Sequence, residues 1–329
     1  MLAITAVVPT LNRPELLQEA LRSLEQQSLP PDEIIVVDDG SHPAVDGAAL
    51  DAAFDPHVRV LRNEVSRGLA YGRNWGVEEA RGKYVVHLDD DDLLAPTTLE
   101  EAFRILDSDP AVEIVFLGVS GFGTRSEHFN KVQPEAIRKV RNRVPHHVVA
   151  DGVLQFGDGL MRAMLKAVPA AFQCTMMPRD TWQKVSELRF RAYQMGTDAS
   201  SVDEAKTLIT GQLRDSEWAI YAAAVCRKTA LLDAPRYLFR CEGQNLASRA
   251  SNVEKHLLQH LRIKTQLFRA SALPELVRWR REIRQNFADT LADAAYHYFR
   301  QGRRLIAWRY AWSALRVRPS PARFRLALR

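Results

Sequence analysis

Four consecutive aspartates, Asp89 to Asp92, follow an apolar segment, Tyr84 to Leu88, that has the composition of a buried strand. Carboxylates packed this closely repel one another, and burial favours protonation of at least one of them. A divalent cation would relieve the repulsion, because Mg²⁺ and Mn²⁺ bind carboxylate oxygens and keep open positions for phosphate. The alternative is that Asp91 or Asp92 only caps a helix that begins near Pro96. One aspartate would suffice for a cap, so the run favours a site for a metal and a phosphate.

Two further polar loops follow apolar segments in the amino-terminal part of the chain. The loop from Pro9 to Pro14 follows the segment Ile4–Val8, and the loop from Asp38 to Ser41 follows Ile34–Val37. Open α/β sheets bind their ligands at the carboxyl ends of the strands, so the three loops are expected to converge on one crevice.

The secondary-structure elements that position these loops are predicted from the spacing of apolar residues. Over the first 120 residues this spacing alternates between the pattern of a strand and that of a helix. Short apolar segments typical of strands are separated by segments whose apolar residues repeat at helical spacing. This alternation predicts βαβ units and a largely parallel sheet. The expected strands are Ile4–Val8, Ile34–Val37, Val58–Leu61, Tyr84–Leu88 and Val112–Val119.

Beyond residue 120 the pattern is less regular. Residues 125–150 are polar and basic, and they predict a loop or a lid. Phe172–Met177 predicts another buried strand, Trp218–Val225 a helix, and Ala230–Leu232 and Tyr237–Arg240 two short strands. From about residue 253 the pattern is helical almost to the end, with breaks expected near Pro274, Gly302 and Pro319.

Length and composition exclude several classes of protein. The 329 residues, 46% of them hydrophobic, suit one large α/β domain with an appendage, or two domains. The three cysteines are widely spaced, which indicates neither a disulfide framework nor a zinc site and suits a reducing cytosol. The amino terminus resembles a first strand more than a leader, and no apolar stretch reaches the 18 or so residues of a membrane span. A cytoplasmic protein is expected.

The basic charge is concentrated at the carboxyl-terminal end. Residues 251–329 carry 17 Lys and Arg against 5 Asp and Glu, a net charge of +12, and the first 250 residues carry the remaining 28 against 35, a net charge of −7. A basic tail on an acidic body points to an anionic surface as its partner. Nucleic acid is not expected, because no recognised binding module accompanies the charge.

Two helices expected on either side of Gly302 are amphipathic. Their apolar faces are expected to form a hairpin that packs on the rest of the protein, with arginines on the opposite faces. Either a solvated hairpin or a pair of helices peripheral on the inner face of an anionic membrane fits this pattern. The two apolar sets are Phe287, Leu291, Ala294 and Tyr298, and Leu305, Trp308, Trp312 and Leu315.

Segments of the first 120 residues resemble family 2 glycosyltransferases, which have the GT-A fold. The matching segments, in order along the chain, are Val7–Arg13, Ile35–Ser41, Asn63 with Arg67–Ala70 and Arg73–Gly76, and Leu88–Asp92. The resemblance implies an α/β fold with a Rossmann-like, mostly parallel central sheet and helices on both of its faces, and the helical pattern after residue 253 adds a helical appendage at the carboxyl terminus. We therefore expect a nucleotide-sugar-binding half (1–120), an acceptor-binding half (121–250) and a basic helical region (251–329).

The resemblance also implies a nucleotide-sugar donor, most often a UDP-sugar, and assigns residues to its nucleoside. Pro9, Thr10 and Asn12 would line the nucleoside pocket. Asp39 would accept a hydrogen bond from the uracil N–H, a role that an ionised carboxylate fills well. The alternative for Asp39 is a turn aspartate that binds nearby backbone.

For the diphosphate and the sugar, the resemblance implies a second group of residues. Arg73 is a candidate for contact with the nucleoside or the diphosphate. Asp91 would ligate Mn²⁺ or Mg²⁺. Asp89 and Asp90 would then face the ribose, the sugar or metal-bound water.

The expected reaction is an inverting displacement, which needs a base for the acceptor hydroxyl. Asp215 lies in a segment that resembles the acidic signature of the family and is the expected base, with Glu217 as the runner-up. Two departures from the family pattern bear on this assignment, since Arg214 replaces an acid and Tyr221 lies near the position of the usual arginine. The alternative is a helix amino terminus, where acids are favoured by the dipole.

The expected function is therefore metal-dependent transfer of a sugar from a nucleoside diphosphate to a hydroxyl of a glycan or a lipid-linked glycan precursor. A nucleotidyltransferase of similar fold is one alternative, but the loop from Thr10 to Pro14 lacks the glycine-rich, basic character of a triphosphate site. A nucleotide-sugar-binding scaffold without a base is the other.

Overall fold

The computed structural model describes residues 3–55, 57–142, 144–160, 164–165, 174–195, 215–242 and 253–328. The chain divides into two compact units, of which the first comprises Met1–Glu187 with Ser201–Gly243 and the second Leu188–Ser200 with Gln244–Arg329. The predicted boundary at residue 120 falls inside the first unit, and the one at residue 250 falls near the start of the main segment of the second.

Strands and helices alternate along the first unit. Its elements are β1 (Ile4–Thr10), α1 (Pro14–Glu25), β2 (Glu33–Asp38), α2 (Gly47–Ala53), β3 (His57–Arg62), α3 (Leu69–Glu79), β4 (Tyr84–His87), β5 (Leu93–Leu94), α4 (Thr98–Ser108), β6 (Ile114–Phe122), α5 (Ser126–Arg141), β7 (His146–Ala150), β8 (Val153–Phe156), β9 (Thr175–Pro178), α6 (Arg179–Gln194), α7 (Asp215–Val225) and β10 (Thr229–Arg240). Helix α6 belongs to the first unit up to Glu187 and to the second unit from Leu188. The five strands predicted before residue 120 are confirmed to within a few residues.

The described strands form one mixed, largely parallel sheet in the order β3-β2-β1-β4-β9-β6-β10-β8-β7, with β5 paired to β10. Strand β1 lies parallel to β2 and β4, β2 to β3, and β6 to β10. Strand β9 runs antiparallel between β4 and β6. The carboxyl ends of β1, β2 and β4, where the three polar loops begin, therefore lie side by side at one edge of the sheet.

Two predictions for the less regular part of the unit are wrong. Residues 125–150 are not a loop, because they hold helix α5 and strand β7. The two short strands predicted between Ala230 and Arg240 are one strand, β10, with register shifts on either side of Pro235. Proline cannot donate to a strand ladder, so it appears in the sequence as a break, whereas the sheet accommodates it as a bulge.

Helices cover both faces of the sheet. On one face Ile4 and Val8 of β1 share a buried cluster with Leu17 of α1 and Leu99 of α4. On the other face helix α3 lies against β1 and β2. The helices on both faces that the resemblance implied are therefore present, and the alternating strand residues are buried on each side.

Helix α3 approaches β1 and β2 so closely that Gly76 has no room for a side chain. A Cβ there would lie far inside van der Waals contact of Val7 Cγ1 and 3.3 Å from Val37 Cγ2. Both valines are fully buried and cannot withdraw. The close approach places Arg73, one turn earlier on the same helix, beside the strand ends.

The second unit is helical. Its elements are α8 (Val253–Arg269), a 3₁₀ turn (Ala270–Ala272), α9 (Pro274–Val277), α10 (Arg280–Arg300), α11 (Arg304–Val317) and α12 (Pro321–Ala327). The breaks predicted near Pro274, Gly302 and Pro319 are confirmed, and Gly302 has a φ of 73°. In the part of the chain that the structure describes, no helix is both long enough and apolar enough to cross a membrane.

The predicted inner face is right for α10 and partly wrong for α11, where Trp312 and Leu315 pack against a buried cluster but Leu305 and Trp308 are exposed. Phe287, Leu291, Ala294 and Tyr298 are all buried, as predicted. Helix α11 instead buries its small residues, Ala307, Ala311 and Ala314, whereas Leu305 is 82% exposed and Trp308 50% exposed. Helix α11 has apolar residues around much of its circumference, so the sequence offers two possible stripes.

Replacing Gly76 with alanine should destabilise the first unit. The new methyl group would force Val7 or helix α3 to move, and overpacking of this kind costs about 1–3 kcal/mol. Denaturant unfolding measures the loss. Gly157→Ala is the matched control, because no atom lies within 4 Å of the position of its Cβ. Equal stability of the two variants would contradict the close approach of α3.

Candidate active site

Asp39, immediately after β2, organises the loop from Asn63 to Gly68. Its Oδ1 accepts hydrogen bonds from Asn63 Nδ2 and Arg67 N, both at 2.8 Å. Its Oδ2 accepts from Ser66 Oγ at 2.6 Å and Gly68 N at 2.9 Å. Burial acts to raise the pKa of Asp39, but these four hydrogen bonds outweigh it and lower the pKa below its ordinary value.

The predicted contact of Asp39 with uracil would compete with these four hydrogen bonds. A carboxylate accepts about four hydrogen bonds, and the Asn63–Gly68 loop supplies four. A uracil N–H would have to share an oxygen or replace one of these donors. The nucleoside role of Asp39 stays a prediction, and its visible role is to hold the loop from Asn63 to Gly68.

Asn12 joins the loop after β1 to the loop after β2. Its backbone N–H donates to Ser41 Oγ at 2.9 Å, and its Oδ1 accepts from His42 N at 2.8 Å. Asn12 adopts a left-handed backbone conformation with φ 55°, which asparagine tolerates better than most residues. Pro9 is buried in β1, where it lies beside Val37 of β2. Pro9 and Asn12, both predicted for the nucleoside pocket, thus lie on the same strand end.

Thr10 and Arg13 connect the β1 loop to the acidic loop. Thr10 Oγ1 donates to Asp90 Oδ2 at 2.7 Å. Arg13 Nη1 lies 3.0 Å from Asp90 Oδ1 and 2.9 Å from Asp91 Oδ2, so one guanidinium bridges two carboxylates. Burial raises the pKa of Asp90 to about 6, although Thr10 and Arg13 act to lower it. The Arg13 side chain is half exposed.

Arg73 and Asp89 form a second ion pair in the acidic loop. The Arg73 side chain is almost fully buried, and Asp89 is more accessible. Beneath them, His87 is fully buried, and burial followed by the charge of Arg73 lowers its pKa well below the ordinary value. The His87 ring lies 4.7 Å from the ring of Trp182, which in turn stacks on Trp218 of α7 at 5.4 Å.

Asp92, for which the sequence suggested a helix cap, is instead a carboxylate that joins the acidic loop to strand β10. Its Oδ2 accepts from Tyr237 Oη and its Oδ1 from Arg240 N, both at 2.8 Å. Burial, and next the charge of Asp89, raise the pKa of Asp92 to about 7. Tyr237 and Arg240 lie 145 and 148 residues from Asp92 in the sequence. The pairing of β5 with β10 brings them next to Asp92 in the fold.

The two candidates for the catalytic base lie in the first turn of α7. Asp215 begins the helix, and its side chain lies outside the described residues. Glu217 is fully buried. A base must reach the hydroxyl of a bound acceptor, so Glu217 would have to become accessible first. The assignment of the base to Asp215 stays a prediction.

The acidic loop can supply part of a cation site. Among the described residues, no three His, Cys, Asp or Glu side chains gather where together they could hold a metal. Asp91 nevertheless presents a partly exposed carboxylate beside two further aspartates. One hard oxygen ligand of this kind fits Mg²⁺ or Mn²⁺ when phosphate oxygens and water complete the coordination. The residues present therefore fit a cation that is shared with a bound diphosphate.

Comparisons with known proteins identify the fold of the first unit and the family that residues 5–167 match. Residues 5–167 match the family model described as Glycosyl transferase family 2. The crystal structure of Staphylococcus aureus TarS 1–349 in complex with UDP-GlcNAc superposes with a TM-score of 0.60 over 96% of this chain and 82% of that one, at 16% identity. The first unit has the GT-A fold seen there. The chain belongs to glycosyl transferase family 2 through its amino-terminal half.

Curated relatives match over part of their length. An uncharacterised glycosyltransferase of Haemophilus influenzae is 31% identical over 113 residues, which are 34% of this chain and 37% of the relative. The poly(ribitol-phosphate) beta-N-acetylglucosaminyltransferase TarS of S. aureus is 29% identical over 206 residues, 60% of this chain and 36% of the relative. The chain thus spans well under half of the length of either relative.

Replacing Asp39 with asparagine should loosen the loop from Asn63 to Gly68. Asparagine offers one acceptor oxygen where the carboxylate offers two, and leaving buried donors unpaired costs about 1–3 kcal/mol of unfolding free energy. Amide hydrogen exchange should rise at Arg67 and Gly68. Asp55→Asn, at an exposed aspartate, is the control.

The same substitution has a pH dependence with a defined sign. The pKa of Asp39 is lower in the folded protein, so its stabilisation is present above the ordinary value near 3.9 and is lost as the pH falls through the folded value. The stability gap between wild type and Asp39→Asn should therefore be full at neutral pH and close in acid. A gap that widened in acid would contradict the hydrogen-bonding scheme.

Proposed function

We propose that this protein transfers a sugar from a nucleoside diphosphate, in the first instance a UDP-sugar, to a hydroxyl acceptor. The observation that carries the proposal is the direct bonding of the three polar loops at one sheet edge, through Thr10 to Asp90 and Asn12 to Ser41. Support comes from the family and from the structures of TarS, which were determined in complex with UDP and with UDP-GlcNAc.

In this proposal the nucleoside binds over the ends of β1 and β2. Pro9, Thr10 and Asn12 would line its pocket, and Asp39 would either receive the uracil N–H or hold the loop that does so. Hydrogen bonds within the protein tie the loops together, which reduces the ordering that binding has to impose.

The diphosphate would lie along the acidic loop. Asp91 would hold Mn²⁺ or Mg²⁺, and Asp89 and Asp90 would face the ribose or the sugar. The cation would supply Lewis-acid neutralisation of the leaving diphosphate, worth several kcal/mol. Arg13 and Arg73 carry positive charge to the same loop, and Arg13, the more exposed of the two, is the better placed to turn towards a phosphate.

The acceptor would bind near the amino-terminal end of helix α7. Asp215 would remove the proton from the acceptor hydroxyl as the sugar transfers with inversion. The stacked rings of Trp182 and Trp218 fix the helix on which Asp215 lies against β4, the strand that leads into the acidic loop. A glycan or a lipid-linked glycan precursor is the proposed acceptor, and a lipid-linked acceptor would place the protein at the inner face of a membrane.

Calorimetry of UDP binding with Mn²⁺ and with a chelator tests the cation. We expect Mn²⁺ to tighten UDP binding to the wild type, and Asp91→Asn to remove most of that gain, at least about tenfold in Kd. Mn²⁺ alone should bind weakly, because Arg13 already neutralises Asp91. Asp107→Asn, at an exposed carboxylate at the end of α4, should behave like the wild type. UDP affinity that ignores the chelator would remove the metal from the mechanism.

Donor turnover by two matched variants tests the base. Asp215→Asn should lower transfer by about 10²- to 10⁴-fold and leave UDP affinity unchanged, because a base acts on the acceptor proton alone. Glu217→Gln should leave turnover much closer to the wild type. The reverse order would move the role to Glu217, and tight UDP binding without turnover in any of the proteins would indicate a nucleotide-sugar-binding scaffold.

A further inference from the structure

The outer face of helix α11 combines large apolar side chains with arginines. Leu305 and Trp308 are 82% and 50% exposed, and the rings of Trp308 and Trp312 meet edge to face with centroids 5.7 Å apart. Arg309 and Arg316 are exposed and follow Leu305 and Trp312 at helical spacing. We call Leu305, Trp308, Arg309, Trp312 and Arg316 the α11 strip.

Leu305, Trp308, Arg309 and Arg316 of the α11 strip face outwards because the helix packs through its alanines. Trp312 is half-buried, since it packs against the cluster of Ala295, Ala311 and Ala327. Ala307, Ala311 and Ala314 are fully buried within the second unit. In the next helix, α12, Phe324 is 50% exposed, and Leu328, just after that helix, is 65% exposed. Single exposed apolar residues are normal, but an aromatic and aliphatic set on one helix face marks an interaction surface.

The positive charge beside the strip is not neutralised within the unit. Three of the five acidic residues of 251–329 form ion pairs with other arginines, namely Glu254 with Arg303, Asp289 with Arg323 and Glu275 with Arg191. For Arg304, Arg309 and Arg316, no acidic partner lies within ion-pair distance in the described part of the chain. These three cations are therefore available to an anionic partner.

We propose that the α11 strip binds the surface of an anionic phospholipid bilayer, independently of the transfer reaction. Leu305 and Trp308 would enter the boundary between headgroups and acyl chains, and the arginines would lie at the lipid phosphates. A nucleic acid offers phosphates but no apolar layer for Leu305. A second copy of the chain would bring the same excess of positive charge, +12 over residues 251–329, against this face. A bilayer alone supplies both chemistries at adjacent depths.

Co-sedimentation of the full chain with vesicles tests the proposal. The wild type should bind vesicles that contain phosphatidylglycerol, fail to bind pure phosphatidylcholine, and lose binding as salt rises. Leu305→Ser with Trp308→Ser should weaken binding by roughly tenfold or more. Arg304→Gln with Arg309→Gln and Arg316→Gln should weaken it by roughly a hundredfold, since each arginine near an anionic surface adds about 1 kcal/mol. All five side chains are exposed, so thermal unfolding should not change.

A matched control tests whether the loss of any exposed apolar side chain would weaken vesicle binding. Val148→Ser changes a residue in the first unit that is 67% exposed, and this variant should bind like the wild type. Equal binding to neutral and anionic vesicles, or full binding by the Leu305 and Trp308 variant, would overturn the proposal. So would a solution dimer that this variant dissociates, with no vesicle binding by the wild type, because the strip would then belong to a second copy.

Discussion

The site depends on one constraint, which is that carboxylates buried at the end of a sheet must find donors or cations. An uncompensated buried charge is costly, so each acidic side chain has to be met by a group from another part of the chain. The pairs are Asp38 with Arg62, Asp39 with the loop 63–68, Asp89 with Arg73, Asp90 with Thr10 and Arg13, and Asp92 with Tyr237 and Arg240. The partners of these carboxylates lie in different loops. Their hydrogen bonds and ion pairs therefore hold the loops after β1, β2 and β4 together at the proposed site.

The buried carboxylates at the end of β2 and those after β4 are compensated by hydrogen-bond donors to different extents. At the end of β2, hydrogen bonds outweigh burial, and the pKa values of Asp38 and Asp39 lie below their ordinary value. After β4, burial outweighs the donors, and the pKa values of Asp90 and Asp92 are raised. The β2 cluster is therefore a finished structural unit, whereas the β4 cluster keeps an excess of negative charge. The two clusters have different parts in the proposed site, since the first holds the loop from Asn63 to Gly68 and the second attracts a cation.

The sequence predicted local features of the fold well and long-range ones poorly. The parallel strands before residue 120 were predictable, because their apolar segments and intervening helices are contiguous in the chain. The position of β9 between β4 and β6 was not, and neither was the contact of Asp92 with Tyr237, because both join distant segments. At the site, Thr10 and Asp90 were predicted separately but not as a bonded pair. Helix α11 shows a different limit, because periodicity finds apolar faces but does not rank small residues against large ones when a close helix partner favours alanine.

Arg13 sets a condition on how the proposed cation could enter. Its guanidinium already bridges Asp90 and Asp91, so a divalent ion at Asp91 has to compete with a positive charge that is in place. The two oxygens of Asp91 alone are too few for a divalent ion to displace the guanidinium, since Mg²⁺ and Mn²⁺ need several ligands. A diphosphate changes the balance in two ways, because it supplies further oxygens to the ion and an alternative partner to the arginine. The cation and the nucleotide should therefore bind as a coupled pair, and Asp91 would remain paired with Arg13 whenever the donor is absent.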